Sequence, residues 1–198
     1  MSPIAKQDRS RKRIEIILAT AEDILLNKGI EEITIANISE LSGLKRTSTY
    51  KFFPNPDDIK VALISKYMNG CSNSFSTKSK GIKTDQLSIV ILKCVEILYE
   101  YFKEFKGAEL IILNNTVTPP INSDAMAGLA SEVQAFIESN IKLPGMYNKD
   151  GIYRVLTQII LSIFSLSAKE DGELNETGKI EAHRAGYAYM LNWVKQSS

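Results

Sequence analysis

Two cysteines, one histidine and one tryptophan in 198 residues set the first limits on this chain. Two thiols are too few for a disulfide framework or a structural zinc site. Cys71 and Cys94 are therefore expected to be reduced and partly buried, the usual state of free cysteine. The lone His183 has no carboxylate or thiol at ligand spacing and reads as a solvated or hydrogen-bonded helix residue. There is no P-loop, no glycine-rich dinucleotide turn and no nucleophile elbow, and no acid, base or metal constellation stands out. Neither an enzyme nor a metal or cofactor is expected.

Long apolar runs are missing too. Nothing approaches the roughly eighteen consecutive apolar residues of a membrane span, so no membrane association is expected. The opening residues, MSPIAKQDRSRKR, lack the apolar centre of a signal peptide, which points to a cytoplasmic location. Strand signals are almost absent. Net charge is only +1, which argues against a general polyanion coat. Its distribution says more. Lys6, Arg9, Arg11, Lys12 and Arg13 crowd the N-terminus against Asp8, and Lys45, Arg46 and Lys51 share a window with no acid. Two local positive patches on a near-neutral chain suit a site-specific DNA reader.

What the sequence does contain is helical periodicity throughout, about nine helices in an all-α chain. The first is expected over residues 9–28, with Ile14, Ile17, Leu18, Ala21, Ile24 and Leu25 as its apolar stripe and Gly29 as a left-handed C-cap. Thr34 reads as the N-cap of a second helix, with Ile33 and Ile38 spaced as a hydrophobic staple. That helix ends at Ser42-Gly43. A third, over residues 45–53, turns Thr49 and Phe53 to the core with Leu44, and Arg46, Thr47, Tyr50 and Lys51 outward. Helix, glycine turn and a helix rich in cationic and hydroxyl side chains present a probe to the DNA major groove. Asn55 and Pro56 then restart the chain as cap and first helical residue, with Asp57 and Asp58 on the positive end of the new helix dipole. This fourth helix is expected to stop near Met68, and residues 70–84, rich in Ser, Gly and Lys, read as a linker.

Beyond it, Leu87, Val90, Ile91, Cys94, Leu98, Phe102 and Phe105 define a long helix. A short one over residues 108–115 is stopped by Thr118-Pro119-Pro120, and Ser123 caps the next, whose stripe is Met126, Leu129, Val133, Phe136, Ile137 and Ile141. In the penultimate helix Ile152, Val155, Leu156, Ile159, Ile160, Ile163, Phe164 and Leu166 cover more than one face, so it is expected to be buried on two sides. The final one mixes in Ala182, Ala185, Gly186 and Ala188, small enough to admit a partner helix closely. Together they read as a homodimer interface through Ile159, Ile163, Ala185, Tyr189 and Trp193, with closure of the monomer's own core as the alternative. Cys94, Leu98, Phe102, Met126, Phe136 and Gln158 are candidates to line a cavity, and Asn114 to supply its polar group or a helix cap.

Thr34, Ile38, Gly43-Leu44, Ser48, Tyr50, Phe53 and Asp58-Ile59 resemble the N-terminal signature of the tetracycline-repressor (TetR) family of bacterial regulators. The match covers residues 9–65; the remainder resembles the family in length and helical character. The resemblance implies a DNA-binding head over residues 1–54 and a ligand-binding, dimerising body over residues 55–198, joined by a helix from about residue 56 to 69. It implies a homodimeric transcriptional regulator, a repressor, whose partners are a pseudo-palindromic double-stranded operator and a small apolar or amphipathic effector. Thr34 would cap beside a phosphate, Arg46 and Thr47 would reach base edges, Ser48 and Tyr50 would contact phosphate, and Lys51 would face the groove. Three positions depart from the pattern. Thr49 replaces an aliphatic residue and must find an acceptor, expected to be the carbonyl four residues back. Phe52 replaces a hydrogen-bonding residue and offers only an apolar contact. Pro56 replaces a lysine, a loss that Lys45 and Lys51 are expected to offset. The alternative is a ligand-binding or interaction module whose head no longer reads DNA.

Overall fold

The computed structural model describes residues 3–114, 123–143, 145 and 147–195, and every regular element among them is helical. In chain order these are α1 (Pro3–Lys28), α2 (Ile35–Ser42), α3 (Arg46–Phe52), α4 (Pro56–Lys78) and α5 (Leu87–Glu104). There follow a single turn, α6 (Lys106–Ala108), which runs into a π-helical turn (Glu109–Leu113), then α7 (Ser123–Asn140), α8 (Lys149–Asp171) and α9 (Glu176–Lys195). The predicted stop at Thr118–Pro120, together with Asn115, lies outside the described residues. Ser123 opens α7 as its first residue instead of standing before it as a cap.

The predicted stripe of α1 is its core face: Ile17, Ala21, Ile24 and Leu25 are buried, and Ile14 and Leu18 pack at the margin. The helix begins earlier than expected, so the basic lead-in is itself helical, and Arg11 pairs with Asp8 at 3.3 Å and Glu15 at 3.8 Å. Gly29 has positive φ, but its φ 94° and ψ 169° are not the left-handed helical cap expected of it. That region is open only to glycine, and it swings the chain into a 3₁₀ turn, Ile30–Glu32, invisible in the periodicity.

α4 corrects the largest misreading. It runs ten residues past Met68, through most of the predicted linker, and ends at Lys78. Cys71 and Phe75 are wholly buried, Phe75 meeting Phe136 of α7 edge to face at 6.0 Å. Burying these two side chains outweighs the weak helix propensity of Gly70 and the serines. The serines and lysine from Ser72 to Lys78, expected as linker, are thus the last turns of a helix. α4 packs on α1 at one end and on α5 and α7 further along, and the buried residues from Ile17 to Met190 form one continuous cluster.

In α8, Ile152, Tyr153, Leu156, Ile160, Leu161 and Phe164 are buried against α7, α9 and the π turn. This helix is long and apolar enough to cross a membrane by length and composition, yet half of that window is buried inside the protein. Its apolarity is that of a core helix. In α9 the inward face is Gly178, Ala182, Gly186 and Met190. A Cβ on Gly186 would lie 3.2 Å from Leu156 and 3.3 Å from Ile91. Two of the four small residues read as a dimer feature, Ala182 and Gly186, thus serve the chain's own core. Phe105 also departs from its predicted stripe, standing 41% exposed at the C-cap of α5.

Candidate nucleic-acid interface

Local chemistry sets the geometry of α2 and α3. The Thr34 hydroxyl accepts from the Asn37 amide at 3.1 Å, and the staple residues Ile33 and Ile38 are both buried. Asn37 in turn donates its side-chain amide to the Glu32 carbonyl and carboxylate, tying the 3₁₀ turn to α2. Gly43 closes α2 at φ 69°, the left-handed conformation in which a Cβ would be strained. Lys45 is the extended residue before α3, not its first turn.

Lys45 and, on α3, Arg46, Thr47, Tyr50 and Lys51 face solvent, with Ser48 half-buried behind them. None of Lys45, Arg46 and Lys51 is paired with an acid among the described residues. Uncommitted cations and a 52% exposed tyrosine on a seven-residue helix form a compact hydrogen-bonding, electropositive face. The opposite face holds the helix down: Thr49 is wholly buried and Phe53 nearly so. The Thr49 hydroxyl meets Ser39 Oγ of α2 at 3.5 Å, a long contact across the two helices, and not the carbonyl four residues back. Phe52 is half-buried and packs on the core, so only part of its ring faces outward.

α4 starts with a complete capping box. Asn55 Oδ1 accepts from the Asp58 amide and Asp58 Oδ2 from the Asn55 amide, both at 3.0 Å, with Pro56 at the first helical position.

A polar joint ties α1 to the rest of the molecule. The Glu22 carboxylate accepts from Lys66 Nζ at 2.6 Å and from the Tyr67 hydroxyl, both on α4. Burial pushes the Glu22 carboxyl up, but these two hydrogen bonds and the lysine charge outweigh it, and its pKa is lowered. Burial and the same carboxylate raise the Tyr67 pKa. The Tyr67 hydroxyl also sits over Gly107 of α6, where any side chain would collide with it. Tyr101 of α5 donates to the Tyr67 carbonyl at 2.7 Å. Sequence reading missed this joint. Its only trace was an acid at Glu22 beside the apolar stripe of α1.

The predicted effector residues are spread over the body. Cys94, Leu98 and Phe102 expose no surface, so they line no open cavity in this conformation, and Phe136 is 5% exposed. Met126 is half-buried, and Gln158 is exposed and donates to Ser162 Oγ at 3.0 Å. Gln158 lines a groove of about 330 Å³ beside the π turn, with Ile112, Leu113 and Ser165. The Asn114 side-chain oxygen is buried without a hydrogen-bond partner. Burial pushes the Cys71 thiol up to about 12 and raises Cys94 as well, the reverse of a reactive cysteine. His183 bonds to the Ser88 carbonyl at 3.0 Å and stacks on Tyr187.

Of the predicted dimer residues, Ile159, Ile163, Ala185, Tyr189 and Trp193 are all half-buried. Val155 and Leu166, 45% and 54% exposed, extend the Ile159 row along α8, and Tyr189 and Trp193 meet edge to face on α9.

No family model matches the sequence, and no curated protein does. Solved structures do share its fold. A TetR-family transcriptional regulator from Streptomyces coelicolor superposes with a TM-score of 0.71 at 13% identity, over 91% of this chain and 99% of that one. The multidrug binding protein EbrR, complexed with imidazole, gives 0.64 at 16% identity over 89% and 94%. SmeT, the repressor of the Stenotrophomonas maltophilia multidrug efflux pump SmeDEF, gives 0.59 at 14% identity over 88% of each chain. The fold of this chain is that of TetR-family transcriptional regulators.

Proposed function

We propose that the protein is a transcriptional regulator of the TetR type, a homodimeric repressor that binds a pseudo-palindromic operator and answers to a small apolar or amphipathic effector. The observation that carries the reading is α3. It is a short helix pinned by Thr49 and Phe53, with the unpaired cations Arg46 and Lys51 and the hydroxyls of Thr47 and Tyr50 on the outer face. Arg46 and Thr47 would read base edges, while Thr34, Ser48 and Tyr50 fix register on phosphates and Lys45 and Lys51 add charge. Two such helices fit successive major grooves when a dimer holds them about 34–36 Å apart. The fold shared with a known efflux-pump repressor and a multidrug binding protein supports a regulator with an effector. Residues 1–54 form the head and residues 55–198 the body in this reading.

The effector would act in the body, where Cys94, Leu98, Phe102, Asn114, Met126, Phe136 and Gln158 are the candidate contacts. The first three must move apart to admit it. Switching a dimer from mostly bound to mostly released takes up to about 5.5 kcal/mol of differential affinity between its two states.

A gel shift with the DNA upstream of the protein's own gene tests the reading. Specific binding is expected to fall about 10³-fold or more between low and moderate salt, as phosphate contacts are lost. No preference for that DNA over random duplex would leave the second reading, a helical ligand-binding module. The inward packing of Phe52 and the proline at position 56 favour that alternative.

A further inference from the structure

A cleft of about 370 Å³ opens between α1, α4 and α5, apart from every predicted effector residue. Its depth comes from Gly70, where a Cβ would stand 2.8 Å from the Tyr101 hydroxyl. Its walls are aromatic. Phe105, 41% exposed, lies against the Tyr101 ring with centroids 4.7 Å apart, and Tyr67 borders the mouth. An exposed phenylalanine backed by a buried tyrosine is a ready platform for a flat apolar group.

The mouth is charged, with an excess of acid. Glu22 and Glu104 line it with Lys66 and Lys78, and Glu100 pairs with Lys78 from outside, so three carboxylates face two ammonium groups. The protein's own cation shows what the mouth holds. Lys66 Nζ rests 2.6 Å from the Glu22 carboxylate and 5.8 Å from the centroid of the Tyr67 ring, within reach of both a carboxylate and an aromatic face. That side chain is 47% exposed, so an ammonium that displaces it from Glu22 leaves the lysine charge in water.

We infer that this cleft binds an amphipathic aromatic amine, its ring against Phe105 and Tyr101 and its ammonium in the place Lys66 now takes beside Glu22. An aromatic acid is disfavoured, because the net charge around the mouth is negative. The volume is at the lower end for small-molecule sites and suits a ligand of one or two fused rings. Such a ligand would bridge α1 to α4 and α5 at the joint between the DNA-facing end of the molecule and the remainder. The inference does not depend on DNA binding.

Calorimetric titration of the full-length protein with 2-naphthylmethylamine, 2-naphthylmethanol and 2-naphthoate tests it. The amine is expected to bind once per chain, at least about tenfold tighter than the alcohol or the acid, and to weaken with added salt. Ser74→Trp, which fills the cleft from a half-buried position on α4, is expected to abolish binding. Glu104→Gln, at an exposed rim position, is expected to weaken it about threefold or more with helical circular dichroism unchanged. Equal affinity for amine and alcohol overturns the inference, as does binding untouched by both substitutions. If Ser74→Trp loses its helical signal, Glu104→Gln decides alone.

Discussion

In the proposed reading Arg46 would contact a base and Tyr50 a phosphate, so their substitutions should differ in kind. Arg46→Ala is expected to cost about 1–3 kcal/mol and to relax preference at one base pair. Tyr50→Phe should weaken all sequences alike, since a phosphate contact carries no base information. Competition gel shifts with single-base operator variants separate the two, and unchanged binding in both mutants removes α3 as the reading element. Thr49 raises a different question. Its buried hydroxyl has only a 3.5 Å contact with Ser39, so Thr49→Val gives up little and gains apolar burial. Denaturant unfolding should find it neutral or stabilised by up to about 1 kcal/mol. A loss larger than that would mean the hydroxyl bridge holds α2 to α3. For Cys71 and Cys94, buried and raised in pKa, a disulfide-exchange reagent at mildly alkaline pH should label neither thiol until the protein is denatured.

α4 links these local features to longer reach. Its start is held by the Asn55–Asp58 box, so Asn55→Ala should cost about 1 kcal/mol of stability, read as a lowered denaturation midpoint. Its flank receives α1 through Glu22, Lys66 and Tyr67. The folded Glu22 pKa lies below the ordinary glutamate value, so its contribution to stability is fully present above that value. It is lost as pH falls through the lowered folded pKa. Glu22→Gln should therefore flatten the acid limb of the pH–stability curve. An unchanged acid limb would place the acid sensitivity elsewhere. The helix starts and stops set by caps were legible at Thr34, Gly43 and Asn55, because a cap is a contact between residues two or three apart. The continuation of α4 to Lys78 was not. It depends on Phe136 receiving Phe75, and that partner is 61 residues away in the chain.

For the whole molecule, the outer row of Val155, Ile159 and Leu166 on α8, with Tyr189 and Trp193 on α9, is the face expected to meet a second copy. Analytical ultracentrifugation at micromolar concentration should return twice the chain mass, and Ile159→Glu should return it to one by burying an unpaired charge. A wild-type mass near one chain would sink the dimer. Periodicity could show that α8 is apolar on two sides, but not which side the chain keeps for itself. The inward set of Leu156, Ile160 and Phe164 is occupied by α7 and α9, which leaves the other row outside.

The order of caps, apolar stripes and turn glycines was enough by itself to specify an all-α chain, the two short helices α2 and α3 and the outward face of α3. All of these arise from interactions within one or two turns of helix, which local sequence encodes directly. The joint of Glu22 with Lys66 and Tyr67, the close approach of Tyr101 to Gly70 and of Tyr67 to Gly107, and the cleft beside them needed the folded chain. Each of these brings together residues more than thirty positions apart. Where such residues meet is decided by how whole helices pack, and no spacing along the chain records it.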